Sequence, residues 1–184
     1  MNSCEVRGNV AILFLNRKDS GRVETLVDAA DLPKIQSFPG VWYAAWSKGA
    51  EAFYVRGTAT KHSGIGCKTI YLARFLMDAP ADLEVDHINH NSLDNRRCNL
   101  RLASTSANQQ NRRGPTDKSK TGIRGVWWHK KIRKWVATVK LNGKQHRVGQ
   151  YDNLVDAERA VTEARAVHMP YSPEAYNLKE ADSK

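Results

Sequence analysis

Three cysteines in 184 residues, Cys4, Cys67 and Cys98, are too few and too scattered for a disulfide framework, and the lack of any CxxC pair speaks against a zinc knuckle. Each reads as a plain thiol. No apolar run approaches the roughly 20 residues that cross a bilayer, and the N-terminus lacks the basic-then-apolar order of a signal peptide. The expectation is a cytoplasmic protein with no membrane partner. No internal repeat stands out. Acidic residues are the scarce charge, with 19 Asp and Glu against 29 Lys and Arg for a net +10. The imbalance is local: from Arg112 to Arg147 twelve basic residues face one acid, Asp117, so this stretch carries +11 and the remainder sums to −1. Fixed positive charge attracts polyanions and releases their counterions, which makes nucleic acid the leading partner class.

The length and a hydrophobic content of 41% suit two small domains, each with a modest core. Val10 to Leu15 is an apolar run of strand length, Ala29 to Ile35 suits a helical turn before Pro39 and Gly40, and Thr69 to Met77 is apolar enough for burial. Trp42, Tyr43, Phe53 and Tyr54 lie in two short runs around Lys48 and Gly49, which suggests a hairpin. The polar stretch GPTDKSKTG, from Gly114 to Gly122, reads as a linker. Beyond it Trp135, Ala137, Val139 and Leu141 alternate with Val136, Thr138, Lys140 and Asn142, the period of a strand with one covered face. Asn142-Gly143 supplies a two-residue turn into a strand from Gln145 to Gln150. Ala157, Ala160, Val161, Ala164 and His168 then follow at helical spacing behind an Asp152 or Asn153 cap. After Pro170 the chain reads as a loosely ordered tail.

The segment from Leu83 to Asn111, LEVDHINHNSLDNRRCNLRLASTSANQQN, is the one with concentrated chemistry. Leu83 to His87 and Asn99 to Ala103 have strand character across a polar loop, and Ser104 or Thr105 caps a short helix. Such an arrangement can gather Asp86, His87, Asn99 and Asn108. Asp86 offers a carboxylate and Asn108 an amide oxygen, a sparse set of hard donors that leaves room for water and phosphate oxygens on Mg²⁺, with Mn²⁺ the alternative. His87 is then available as a general base, with Asn99 accepting from its far ring nitrogen to fix the tautomer. Asp94, Asn95 and Arg96 suit holding the loop, and Arg97, Arg101, Arg112 and Arg113 suit phosphate contact. Singly, each residue would be an ordinary strand-end, turn or surface residue. The joint spacing is what carries the reading.

This segment resembles the HNH nuclease family, in particular the phage and intron-associated homing endonucleases that begin with Asp-His instead of His-His. The likeness rests on Asp86, His87, Asn99 and Asn108, on the text from Ile88 to Arg101, and on the preceding TIYLARFLM, and extends over roughly residues 40 to 112. It implies a ββα metal core, a divalent cation held by Asp86 and Asn108, His87 as base, Asn99 orienting it, and duplex DNA as substrate. The chain departs from the family at Ala73, where histidine is frequent, and at His90, where glycine is.

From Gly122 to about His168 the elements RGV, KWVA, VGxY and DAxxA resemble the Apetala-type DNA-binding domain of plant ethylene-response factors. In that family a three-stranded sheet enters the major groove and a helix covers its other face. The likeness places Thr138, Lys140, Gln145 and Arg147 on the DNA side with Arg124 and Lys134 nearby. Trp135, Val139 and Leu141 then face the helix. Trp127 and His129 stand where the family commonly has arginine, with Trp127 a candidate for stacking and Trp128 and Trp135 candidates for packing.

The resulting expectation is an α+β protein. An HNH domain at 1–112, including a β-rich N-terminal part, precedes a linker at 113–122, a reader at 123–172 and a tail at 173–184. With one active site, a monomer that nicks one strand of duplex DNA is expected. The rival from another class is a sequence-specific DNA-binding regulator without cleavage.

Overall fold

A computed structural model describes residues 2–17, 21–59, 68–112, 114–115 and 119–181. The architecture is mixed α+β, with a six-stranded, a three-stranded and a two-stranded sheet and few helices among the described residues. The chain divides into two compact units, Met1–Ser104 and Thr105–Lys184. The division falls ahead of the expected boundary at 112/113.

In the first unit, β1 (Cys4–Arg7) and β2 (Val10–Asn16) form a hairpin through Gly8, whose φ of 60° suits a residue without Cβ. Strand β3 (Arg22–Asp28) pairs antiparallel with β2, and β4 (Gly40–Ser47) with β5 (Ala52–Ala59) makes the expected aromatic hairpin. A short helix, α1 (Leu32–Gln36), precedes β4. Strand β6 (Thr69–Tyr71) extends the sheet beside β5 and runs straight into α2 (Leu72–Leu76). Leu72 and Leu76, four residues apart on one helical face, are fully buried with Leu13, Leu15, Val27 and Trp42. The rings of Phe38, Trp42 and Phe75 pack in this core with centroids 4.3 to 5.6 Å apart. Gly57 admits the cluster, since a Cβ there would meet Phe38 at 2.6 Å and Trp42 at 2.8 Å. Against this body lies a separate antiparallel pair, β7 (Glu84–His87) and β8 (Leu100–Ala103), joined by the loop 88–99.

The second unit opens with α3 (Thr105–Asn108) and a 3-10 turn, Gln109–Asn111. Strands β9 (Val126–His129), β10 (Lys134–Leu141) and β11 (Lys144–Tyr151) form an antiparallel sheet with β10 in the middle. The Asn142-Gly143 turn has φ 48° and 78°, both left-handed as a two-residue hairpin requires. Helix α4 (Leu154–His168) is capped by Asn153, whose Oδ1 accepts from the Asp156 amide at 2.8 Å. Ala157 and Val161 bury themselves against Val126, Ala137 and Val139 on the α4 face of β10, but Val136 and Thr138 on the other face are buried as well, so the strand does not have the single covered face expected of it.

The expected tail is in fact α5 (Pro173–Ala181), with Ser172 and Ala175 buried. Ser172 Oγ accepts from the Ala175 amide at 3.2 Å, and Glu174 pairs with the buried Arg165 at 2.7 Å. These tertiary partners order a segment with little hydrophobic pattern of its own. Arg113 and residues 116–118 of the expected linker, and Cys67, lie outside the described residues. Among the described residues no helix is long and apolar enough to cross a membrane.

Candidate active site and nucleic-acid interface

His87 ends β7, and the loop that follows is held by asparagine and aspartate side chains acting as local backbone mimics. Asn89 Oδ1 accepts from the Asn91 amide at 2.8 Å, and Asn91 Oδ1 from the Leu93 amide at 3.1 Å. His90, with φ 63°, donates its amide to the His87 carbonyl at 3.0 Å. This left-handed turn explains why glycine is frequent at that position in the family the segment resembles. The loop is also laced to β3: the Leu26 amide donates to Leu93 O at 2.9 Å and the Asn95 amide to Leu26 O at 2.8 Å. Arg96 binds both carboxylate oxygens of the buried Asp94, at 2.8 and 2.7 Å. That bidentate contact, above all, holds the Asp94 carboxyl below its ordinary range.

Asn99 does not take the role expected of it. Its Oδ1 accepts from the Asn89 amide at 2.9 Å and its Nδ2 donates to Asp94 O at 2.8 Å, so both ends bridge the two sides of the loop. The group facing His87 is Asn95, whose Oδ1 lies 3.2 Å from Nε2. The direction of that bond follows from the partners behind it. Thr25 Oγ1 donates its only hydrogen to Leu93 O at 2.6 Å and therefore accepts from Asn95 Nδ2 at 2.9 Å. Nδ2 also donates to Ser92 O at 3.3 Å, an atom that can only accept. The amide oxygen of Asn95 is thus the end presented to His87, Nε2 carries the hydrogen, and Nδ1 is the basic nitrogen. Burial, the dominant influence, lowers the His87 pKa and favours the neutral imidazole a base requires. Asn95 stands in the LDNR text and was legible there as a loop residue. Thr25 had no signal, since the contact spans 70 residues.

Asp86 is 7% exposed, opposite Arg101 across the β7–β8 pair. Arg101 Nε and Nη2 lie 2.8 and 2.7 Å from Asp86 Oδ2, so Arg101 engages this carboxylate and is not a cation standing ready for phosphate. Arg97, also expected to meet phosphate, binds Asp31 through Nε and Nη2, at 2.9 and 2.8 Å to its two oxygens. The ring of Tyr54 on β5 sits edge-on to His87, centroids 6.3 Å apart. Burial first, then Tyr71 and Asp86, raise the Tyr54 pKa and keep its phenol protonated. Asn108 closes α3 in the other unit. Among the described residues no cluster of three or more His, Cys, Asp or Glu side chains forms a metal cage. A cation bound here would rely on a donor set as sparse as the sequence suggested, and the hard carboxylate oxygens of Asp86 fit one that keeps waters of its own.

In the second unit the sheet face away from α4 carries Trp127, His129, Lys134, Val136, Thr138, Lys140, Gln145 and Arg147 by register. Lys140, Gln145 and Arg147 are exposed, and the rings of Trp127 and His129 lie 5.3 Å apart. Two members of the expected DNA face are corrected. Thr138 is 9% exposed and hydrogen-bonded to Gly125 O and to Gln145 Nε2 at 3.1 and 2.9 Å. Arg124 donates to the carbonyls of Gln109, Gln110 and Arg112 at 2.9 to 3.1 Å, so it clasps the end of the opening helical turn. Lys134 pairs with Asp152. Trp128, 41% exposed, meets Trp135 edge-on at 4.9 Å on the α4 side. A groove of about 1230 Å³ in this unit is lined by Trp127, Thr138, Lys140 and Gln145 together with Gln109 and Arg112.

Residues 78–110, which include the β7 and β8 strands, the pinned loop between them and Asp-His at the end of β7, match the HNH endonuclease family. HNH endonucleases act on DNA and generally use a divalent metal. Two viral proteins are similar to this chain. Protein 3.8 of Escherichia phage T7 is 40% identical over 75 residues, covering 41% of this chain and 61% of that protein. The uncharacterized HNH endonuclease L560 of Acanthamoeba polyphaga mimivirus is 38% identical over 69 residues, covering 38% of this chain and 34% of its own length. The chain thus spans less than two thirds of either relative. No solved structure matches it.

Proposed function

We propose that this protein is a metal-dependent HNH endonuclease that hydrolyses one phosphodiester bond in duplex DNA, at a site read by its C-terminal sheet. The observation that carries this reading is the Thr25–Asn95–His87 hydrogen-bond chain, which presents a neutral imidazole in one tautomer beside a buried carboxylate. His87 Nδ1 accepts the proton of the attacking water, while Asn95 and Thr25 keep the ring in place and Asn99 keeps the loop closed. A divalent cation, Mg²⁺ or Mn²⁺, held at Asp86 would offset phosphate charge and stabilise the leaving oxygen. In the reader, Trp127, Lys140, Gln145 and Arg147 are the surface offered to the major groove, in the manner of the Apetala-type domain.

A DNA-binding regulator is favoured by one observation, the Arg101–Asp86 ion pair, which neutralises the carboxylate a metal would need. Plasmid DNA incubated with the protein in Mg²⁺ and in EDTA separates the two. Mg²⁺-dependent nicking that His87→Ala abolishes, with DNA affinity unchanged, is expected of the enzyme. Tight binding with intact plasmid under both conditions is expected of the regulator.

A further inference from the structure

The register of β4, β5 and β6 places Tyr43, Tyr54, Arg56, Thr58, Thr69 and Tyr71 on one side of the N-terminal sheet, opposite the buried Trp42, Ala44 and Val55. None of these six bears a carboxyl group. Tyr43 OH, Thr58 Oγ1 and Thr69 Oγ1 are linked at 3.2 and 3.3 Å. Arg56 Nη2 donates to Tyr71 OH at 2.7 Å, its guanidinium 4.7 Å above the same ring. The Tyr71 hydroxyl, having accepted that bond, keeps its own hydrogen to give. Tyr54 OH makes no side-chain hydrogen bond among the described residues, and its ring adjoins His87.

Arg56 differs from four other arginines of the same unit. Arg7, Arg96, Arg97 and Arg101 each pair with a carboxylate. Arg56 faces none among the described residues, and its Nε is buried with no hydrogen-bond partner. A cavity of about 730 Å³ beside it is lined by Arg17, Tyr43, Trp46, Phe53 and Arg56. A guanidinium with no carboxylate paired to it among the described residues and two phenolic hydroxyls form an anion-seeking surface beside the candidate base.

We infer that Arg56, Tyr71 and Tyr54 form a second DNA-contact site, which holds a backbone phosphate next to the one attacked at His87. The inference rests on the nuclease reading for the identity of its ligand. Phosphate contacts set register without reading sequence, so this site positions the strand at His87 while the C-terminal sheet supplies the address.

The test uses the full chain and a short duplex of arbitrary sequence, with binding measured by fluorescence anisotropy in EDTA over a range of salt. Loss of one phosphate contact lowers the slope of log K against log salt by about 0.9. Arg56→Gln is expected to show that decrease with several-fold weaker binding. Tyr71→Phe and Tyr54→Phe are expected to keep the slope but raise the KM for nicking more than they lower kcat. A merely structural Arg56 would leave the slope unchanged. If Arg56→Gln does not fold, as judged by circular dichroism, the two isosteric tyrosine variants decide through the KM-against-kcat split. An unchanged slope in folded Arg56→Gln, or unchanged KM in both tyrosine variants when Arg56→Gln is unfolded, overturns the inference. Wild-type nicking in Mg²⁺ is scored separately. Nicking with an unchanged slope sinks this site alone, whereas no nicking with a reduced slope sinks the nuclease reading and leaves the phosphate site standing.

Discussion

The Thr25 hydroxyl on β3 and the Ser92 carbonyl together leave Asn95 a single way to orient its amide, and so decide which nitrogen of His87 carries the hydrogen. Thr25→Val removes the acceptor while nearly conserving shape, so nicking should fall, and Thr25→Ser should restore it. The general base contributes roughly 10² to 10⁴ in rate, which bounds the loss. Nitrogen NMR of His87 should show the Nε2–H tautomer in the wild type and in Thr25→Ser. A Thr25→Val protein of full activity would sever Thr25 from the site. Asn99 bonds within the loop and not to His87. Asn99→Ala leaves the Asn89 amide and the Asp94 carbonyl without their partner and should cost about 1 to 3 kcal/mol of stability, read as a lower Tm. Asp94 adds a pH dependence. Its pKa is lowered on folding, so its contribution is present above the ordinary 3.8 and is lost as pH falls through the lower folded value. Asp94→Asn should therefore be less stable at neutral pH and show a flatter acid limb below about pH 4 in thermal unfolding.

Strand β10 depends on a close backbone approach at Thr138, opposite the residue that precedes β9. Gly125 has φ 83°, and a Cβ there would meet Thr138 O at 2.3 Å, so Gly125→Ala should unfold the C-terminal sheet even though the change is one methyl group. Circular dichroism and DNA binding should be lost together. Helix α4 is less demanding. Asn153→Ala deletes its cap and should cost about 1 kcal/mol with DNA affinity intact. Arg124, as a clasp on the carbonyls of residues 109, 110 and 112, should behave like a structural residue. Arg124→Ala should lower Tm and leave base preference unchanged, whereas Lys140→Ala and Arg147→Ala should weaken binding at unchanged Tm.

Charge is divided unequally between the two units. Residues 105–184 hold 16 basic and 8 acidic groups, +8, and residues 1–104 hold 13 and 11, +2. Each unit has its own hydrophobic cluster. A fragment of residues 105–184 should therefore bind duplex DNA alone with a steep salt dependence, while residues 1–104 bind weakly and rely on tethering for a local DNA concentration on the order of mM. Gel shifts of the two fragments at several salt concentrations check this, and tighter binding by residues 1–104 would contradict it.

Composition and short-range pattern were enough for the strands β2, β4, β5 and β10, the Asn142-Gly143 turn, a cap for α4 at Asp152 or Asn153 and the Asp-His pair at a strand end. Each of these depends on residues within a few positions of one another, through alternation, turn geometry or capping. The partners of the charged and amide side chains were another matter. Arg97 and Arg101 suit phosphate contact by sequence, yet Arg97 is committed to Asp31, 66 residues away, and Arg101 lies on Asp86. Asn99 and Asn95 exchanged roles because four residues in a loop separate bridging its walls from facing His87. The tail became α5 because Arg165 and Glu174 found each other. A side chain with several hydrogen-bonding atoms can be satisfied by many partners, and local sequence leaves them nearly equal in free energy. Packing of distant segments buries one choice and removes water as the alternative, and only then is the bond decided.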